Sequence, residues 1–290
     1  MKADRTVSWL PPVRGRTLLW LVPLLVVNSI MVGHAIWRMA VGFPPVDWRN
    51  YVEASQRFWT GGLYDSNLLG YAWHYSPVLA LVFGVLAPIG DLGWRLLHLV
   101  PVAFLPTRLL SIVVIVSWPF WADVESGNVM IFILFAAAWA VRGSRAGALA
   151  FLALTLLVPR PLMLPLAAWL LWKRPDLRWP FVAMFVVHAL AVLATGWGGE
   201  WLRDLLAASR DVHLPANIAP SRIVGAIPWL IIGIPVAVWL PLRTRPEWAG
   251  MFAQPYLIGY YLLLPLASLA RRGTSSQQSQ TDRSEPPPGV

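Results

Sequence analysis

The chain contains no cysteine. That absence removes disulfide frameworks, thiol nucleophiles and thiolate metal sites, and cysteine usage marks no redox compartment. Charge is scarce as well, at 13% of the 290 residues against 57% hydrophobic, with a mean hydropathy of +0.59. No ordinary soluble domain of this length has such a balance. No glycine-rich nucleotide loop, serine-hydrolase elbow or HExxH pair occurs, so the usual chemistry-bearing signatures are missing too. The excess of 23 basic over 14 acidic residues sits at the ends of apolar runs, which argues against a nucleic-acid surface.

What is present is a series of apolar segments. Leu18 to Met39 is the clearest full-length span, and it reads as a retained first helix because it is too long for a cleaved signal and lacks a small-x-small site. Others run Val78 to Pro88, Trp94 to Pro106, Leu109 to Trp121, Val129 to Val141, Ala146 to Trp172, Trp179 to Thr195, Ile223 to Leu242 and Phe252 to Leu269. Several are short, and prolines interrupt others, so broken or re-entrant helices are expected among about 8–11 membrane segments. Val78 to Pro106 reads equally as one pass or two. The expected fold is all-α and polytopic, with a cytoplasmic N-terminus over 1–16, a transmembrane domain over 17–272 and a disordered cytoplasmic tail over 273–290.

Charge sets the orientation. Lys2, Arg5, Arg14 and Arg16 precede the first helix and place it with the N-terminus inside. The basic connectors Arg142 to Arg145, Lys173 to Arg178, Arg243 to Arg245 and Arg271–Arg272 then belong on the same side. This makes Ala146 to Trp172 leave and return on one side, with Pro159-Arg160-Pro161 breaking the helix at the apex. The first loop, 41–77, falls outside. So do the turn from Trp121 to Asn128, the segment Gly196 to Arg222 and the apex Gln254-Pro255-Tyr256.

Within that outer loop Asp47 follows Pro44-Pro45 and is followed by Trp48 and Tyr51. A carboxylate there can act as a general base on an acceptor hydroxyl, or can cap a helix from Trp48 to Phe58 with Glu53 and Arg57 pairing one turn apart. Asp65, Trp48, Tyr51, Glu53 and Asn128 are candidates for sugar or acceptor contacts. Asp65 also suits a turn. His74 and Tyr75 stand at the mouth of the next span, either against a phosphate or as interfacial anchors. Arg160 at the hairpin apex offers a fork of donors to a phosphate, or snorkels to the interface, or pairs with a carboxylate such as Asp123 or Glu125. Asp123, Glu125 and Asn128 fit no metal loop and are expected to be solvated turn residues, so no metal is expected. Arg203, Asp204, Arg210, Asp211, His213 and Arg222 either cover a headgroup or form the polar face of an amphipathic helix. His34, His98 and His188 lie singly in apolar stretches and read as packed residues.

Several short motifs recur in an order and spacing that extend over most of Leu18 to Leu269. They are Asp47-Trp48-x-x-Tyr51, Gly61-Gly62-Leu63-Tyr64, Tyr75-Ser76-Pro77, Gly127-Asn128-Val129, Arg142-Gly143 to Ala146-Gly147, Pro159-Arg160-Pro161-Leu162, Trp172-Lys173-Arg174, Gln254-Pro255-Tyr256 and Tyr260-Tyr261. In these the chain resembles glycosyltransferase family 87, the polyprenol-phosphate-mannose-dependent mannosyltransferases of the GT-C fold. The resemblance implies a GT-C-like bundle in the cell membrane. It implies transfer of a hexose, mannose in the family, from a polyprenyl-phosphate donor to a lipid or glycan acceptor at the outer face.

By the same resemblance Asp47 is the base, Arg160 steadies the leaving phosphate, and Asn128 stands where the family commonly has glutamine. No cofactor, nucleotide or nucleic-acid partner is implied. The family's lysine before the apex proline is Val158 here, and the chain is short for the family. Those departures leave reduced activity or a changed substrate open. The broken helices, which recur in carriers, leave a transporter or flippase for a lipid-linked or anionic solute as an alternative reading, and an inactive scaffold is a third.

Overall fold

A computed structural model describes residues 15–65, 73–207, 217–243 and 245–271 of the chain. The expected tail, most of the N-terminal segment, Arg210, Asp211, His213 and Arg272 lie outside the described residues. Among those described the protein is all-α, with no strand.

Three helices are long and apolar enough to cross a membrane: Leu21–Ala40, Pro77–Ala103 and Pro175–Ala194. A fourth crossing forms if α6 (Arg108–Val116) and α7 (Trp118–Ser126), bent by 67° at Ser117, count as one. Five further apolar helices run 10–17 residues. Against the expected eight to eleven membrane segments, three or four helices among the described residues are long and apolar enough to cross, and the other apolar helices are shorter. Val78 to Pro106, ambiguous in sequence, is one helical run comprising α3 (Pro77–Leu86), a 3-10 turn at Ala87–Ile89, α4 (Gly90–Leu97) and α5 (Leu99–Ala103).

The bend between α6 and α7 has a partner in α1 (Gly15–Ala40). Asn28 donates from Nδ2 to the Val116 carbonyl at 2.8 Å and accepts the Trp118 N–H at Oδ1, also at 2.8 Å. One amide therefore satisfies groups on both sides of the break, which would otherwise be left unpaired in an apolar medium. At the far end of the same pair Arg38 closes on Glu125 at 2.9 Å.

α9 (Arg145–Leu157) and α10 (Leu164–Lys173) form the hairpin expected around Arg160, with a 3-10 turn at Pro161–Met163. Its open end is closed by Arg174, whose Nη1 donates to the Gly143 carbonyl at 3.1 Å. Close by, Arg142 at the end of α8 (Met130–Val141) donates to the Pro106 carbonyl, and Trp139 Nε1 donates to Phe104. Arg271 reaches Glu247 at 2.6 Å and stands over the Trp169 ring. One end of the bundle therefore collects Arg142, Arg174 and Arg271. The opposite end is knitted by Ser76 N–H to the Leu157 carbonyl at 3.1 Å and Leu162 N–H to Gln254 Oε1 at 3.0 Å.

α2 (Val46–Thr60) lies at this second end. Its buried residues Trp48, Asn50, Tyr51, Ala54 and Ser55 recur at helical spacing and face α3 and α4. Trp48 stacks on Trp94 at 4.5 Å between centroids, and Tyr51 on Phe83 at 4.4 Å. The helix starts two residues earlier than expected. Pro45 occupies the N-cap position with no side-chain cap, so Asp47 is not the capping residue.

Candidate functional site

Five stretches of chain meet at the second end of the bundle. They are the first turn of α2, the strip Trp73–Ser76, the turn Gly127–Val129 between α7 and α8, the hairpin apex at Arg160, and the start of a 3-10 segment, Gly259–Ala270. Freed from capping, the Asp47 carboxylate accepts from Asn128 Nδ2 at 2.7 Å. The hydroxyls of Ser126 and Tyr260 face it as well. Asn128 turns its other amide atom, Oδ1, to the Val129 N–H at 2.8 Å and to Arg160 Nη2 at 3.3 Å. Asp47 and Arg160 are thus one amide group apart and make no direct ion pair.

Arg160 is 6% exposed. The same Nη2 donates to the Tyr75 hydroxyl, which is 3.4 Å from the Tyr51 hydroxyl. The guanidinium carbon stands 5.2 Å from the Tyr75 ring centre and 4.7 Å from that of Tyr261, so aromatic faces flank the cation. Its Nη1 is buried and has no hydrogen-bond partner. A buried donor on a charged group left unmade costs about 1–3 kcal/mol or more, a cost that an acceptor brought by a ligand would remove.

Burial raises the proton affinity of Asp47 above the ordinary carboxylate range. The hydrogen bond from Asn128 and the charge of Arg160 act in the opposite direction and offset part of that rise. The pair is a carboxylate biased toward taking a proton beside a cation with a spare donor.

Gly127 makes this geometry possible. It adopts φ +72°, and a Cβ there would come within 2.7 Å of the Trp48 Cβ. Its N–H and that of Asn128 both bond the Asp123 carbonyl, at 2.9 and 3.0 Å. The Asp123 carboxylate caps α8 through the N–H groups of Met130 at 3.2 Å and Ile131 at 2.9 Å. Asp123 and Asn128 are fully buried, which corrects the expectation of solvated turn residues. The carboxyl group is consumed by the helix N-terminus. Arg160 pairs with neither Asp123 nor Glu125, since Glu125 is held by Arg38.

Of the residues singled out in sequence, Asp47, Tyr51, Tyr75, Asn128 and Arg160 come together. The others do not join them. Trp48 is fully buried in the aromatic core. Glu53 pairs with Arg57 at 3.4 Å on the opposite face of α2, beside a cleft of about 350 Å³ lined by Trp48, Arg49, Gln56 and Asp91. Asp65 lies in a turn, its N–H on the Gly62 carbonyl and its own carbonyl accepting from Arg57. His74 Nδ1 meets Asp204 at 2.8 Å, which docks α12 (Gly198–Ala207) against the strip that carries Tyr75. Tyr260 and Ser126 join the cluster without having been singled out as site residues. The doublet Tyr260-Tyr261 was visible as a motif, but nothing in its spacing tied it to Asp47.

Among the described residues no group of three or more potential ligands is arranged to hold a metal ion. Compared with family models, curated proteins and solved structures, the chain matches none.

Proposed function

We propose that the protein is a membrane glycosyltransferase that moves a hexose from a polyprenyl-phosphate donor to a hydroxyl of a lipid or glycan acceptor. The observation that carries this reading is the Asp47–Asn128–Arg160 arrangement, in which a proton-seeking carboxylate and a cation with a buried, unpartnered Nη1 are kept one amide apart. The resemblance to glycosyltransferase family 87 in the motifs that carry these three residues points the same way, and mannose is the family's sugar.

In this reaction Asp47 removes the proton of the acceptor hydroxyl as its oxygen attacks the anomeric carbon. The bond from that carbon to the phosphate oxygen breaks, polyprenyl phosphate leaves with the electron pair, and the configuration inverts. Arg160 Nη1 donates to the phosphate oxygens as their charge grows. Nothing in the step needs a metal or nucleotide from the protein.

A lipid-borne donor suits the depth of the site. α8 and α9, of 12 and 13 residues, are about 18–20 Å long, short of the roughly 30 Å of bilayer hydrocarbon. With the basic end at the cytoplasmic surface, the cluster is recessed beneath the outer face of a GT-C-like, multi-pass bundle in the cell membrane. A phosphate at the head of an isoprenoid chain reaches such a recess by lateral diffusion.

The test is transfer by purified protein from polyprenyl-phosphate hexoses to lipid and glycan acceptors. Transfer by the unaltered chain and a fall on the order of a hundredfold or more in Asp47→Asn are expected. Absence of transfer from every such donor, or full activity in the variant, overturns the reading.

A further inference from the structure

We propose that Asp204, acting through His74, is a positioning residue of this site: α12 clamps the strip Trp73–Ser76 so that the Tyr75 hydroxyl holds Arg160 with Nη1 left for a ligand. This rests on the reading of Arg160 as the donor to a phosphate.

The inference starts at the cation. Arg160 Nη2 gives its hydrogens to the Tyr75 hydroxyl and to Asn128 Oδ1, so these two acceptors fix the guanidinium plane and leave Nη1 unmade. Asn128 Oδ1 is held in turn by the Val129 N–H. Tyr75 lies on a strip that is neither helix nor strand, and its neighbours set its place instead. The Ser76 N–H donates to the Leu157 carbonyl at 3.1 Å, and the Tyr64 hydroxyl donates to the Tyr75 carbonyl at 3.1 Å. His74 turns the other way, with Nδ1 2.8 Å from Asp204 Oδ2.

Two of those three contacts lead to α12. Trp197, just before its first residue, sets its ring 6.3 Å from that of Tyr64. One turn before Asp204, and on the same face, the Trp201 ring stands edge-on to His188 at 5.8 Å. His188 belongs to α11 (Arg178–Ala194), part of one of the three helices long enough to cross the membrane. Gly196, at φ +77°, turns the chain so that α12 folds back on that helix. The clamp therefore ties Tyr75 to the frame of the bundle. It needs no buried charge: the side chains of His74 and Asp204 are 37% and 13% exposed, and an imidazole with its proton on Nδ1 donates to the carboxylate while neutral. Loss of the contact frees the strip, and Tyr75 no longer pins the guanidinium.

The experiment uses the full chain in lipid nanodiscs, labelled with 3-fluorotyrosine. Its seven tyrosines give separate ¹⁹F lines, and Tyr75→Phe identifies that of Tyr75 by its loss. Asp204→Ala is expected to shift or split the Tyr75 line, and Asp204→Asn, which keeps an acceptor for His74 Nδ1, is expected to restore it. A Tyr75 line unmoved in Asp204→Ala overturns the proposal. In the transfer assay Asp204→Ala is expected to lower kcat by about tenfold or more with the acceptor KM unchanged, the scale set by a small misplacement of a working group. In a Tyr75→Phe background the same change is expected to cost nothing further. Losses that multiply would show that α12 acts elsewhere than through Tyr75, and they overturn the proposal too. Should Asp204→Ala fail to fold, His74→Leu, at a partly exposed position, carries both comparisons. If the unaltered protein transfers from no donor, the function proposed above falls, while the ¹⁹F spectrum still decides whether α12 sets Tyr75.

Discussion

At the residue scale the cluster combines groups that a packed core would not choose. Asp47 is partly buried in the first turn of α2 yet caps nothing, and its proton affinity is raised chiefly by desolvation. Two consequences follow from the sign of that shift. If Asp47 is the base it must be ionised, so kcat/KM falls as pH drops through its raised pKa. The acid limb of the profile should therefore lie above the roughly pH 4 of an unperturbed aspartate, and a limb at or below that value contradicts the role. For stability, a carboxyl held more tightly protonated in the folded than in the unfolded chain contributes fully below the unfolded pKa. That contribution is lost as pH rises through the folded one. Asp47→Asn, neutral and still able to accept from Asn128, should match or exceed the parent Tm near neutral pH while activity collapses. A lower Tm would mean that the carboxylate is a structural group. Arg160→Lys makes the complementary point, because an ammonium keeps the charge but not the fork that spans Tyr75, Asn128 and a ligand. A fall on the order of 100-fold in transfer is expected, and near-normal rates would mean that charge alone suffices.

At the element scale the site depends on breaks. Gly127, the turn before Arg160 and the 67° bend at Ser117 each interrupt a helix where the cluster or its support is assembled. These interruptions were partly legible in the sequence. Proline marked the Arg160 apex, because it removes an N–H and forbids the preceding helical conformation, and the hairpin formed as its pattern implied. The Asn28 contact was not legible, since it joins residues 88 and 90 positions apart and no local pattern encodes such a pairing. Nor was the burial of Asp123, whose carboxylate looked like a solvated turn until the N-terminus of α8 was placed against it. Asn28→Leu should therefore weaken the fold more than a polar-to-apolar change facing lipid normally would. It strands the Val116 carbonyl and the Trp118 N–H, and about 2–4 kcal/mol of destabilisation is expected at about 1–2 per lost bond. A thermal midpoint equal to the parent's would show that the bend needs no cap from α1.

At the scale of the whole molecule, charged groups collect at the two ends of the bundle, several of them in pairs of opposite sign such as Arg271 with Glu247 and Arg38 with Glu125. Arg142, Arg174 and Arg271 gather where the α9–α10 hairpin opens, while Asp47, Asp123, Glu125 and Asp204 lie toward the end that carries Arg160. A carrier that alternates access would be expected to line a midplane path with its charges, and this distribution favours a site worked from one face. In the orientation proposed above, the end that carries Arg142 and Arg174 faces the cytoplasm, because translocating basic groups is costly. The sequence supplied that inference through its basic connectors, but it could not show that the hairpin's two ends meet. The Arg174 bond to Gly143 does so. A chain without cysteine is its own background for labelling. Ala146→Cys, exposed at the start of α9, and Thr60→Cys, exposed at the end of α2, mark the two ends. In intact cells a membrane-impermeant maleimide should label position 60 and spare position 146, and in inverted vesicles the pattern should reverse. Labelling of both positions from one side would place Asp47 and the basic end on the same face. It would remove the outer-face donor site on which the proposed transfer depends.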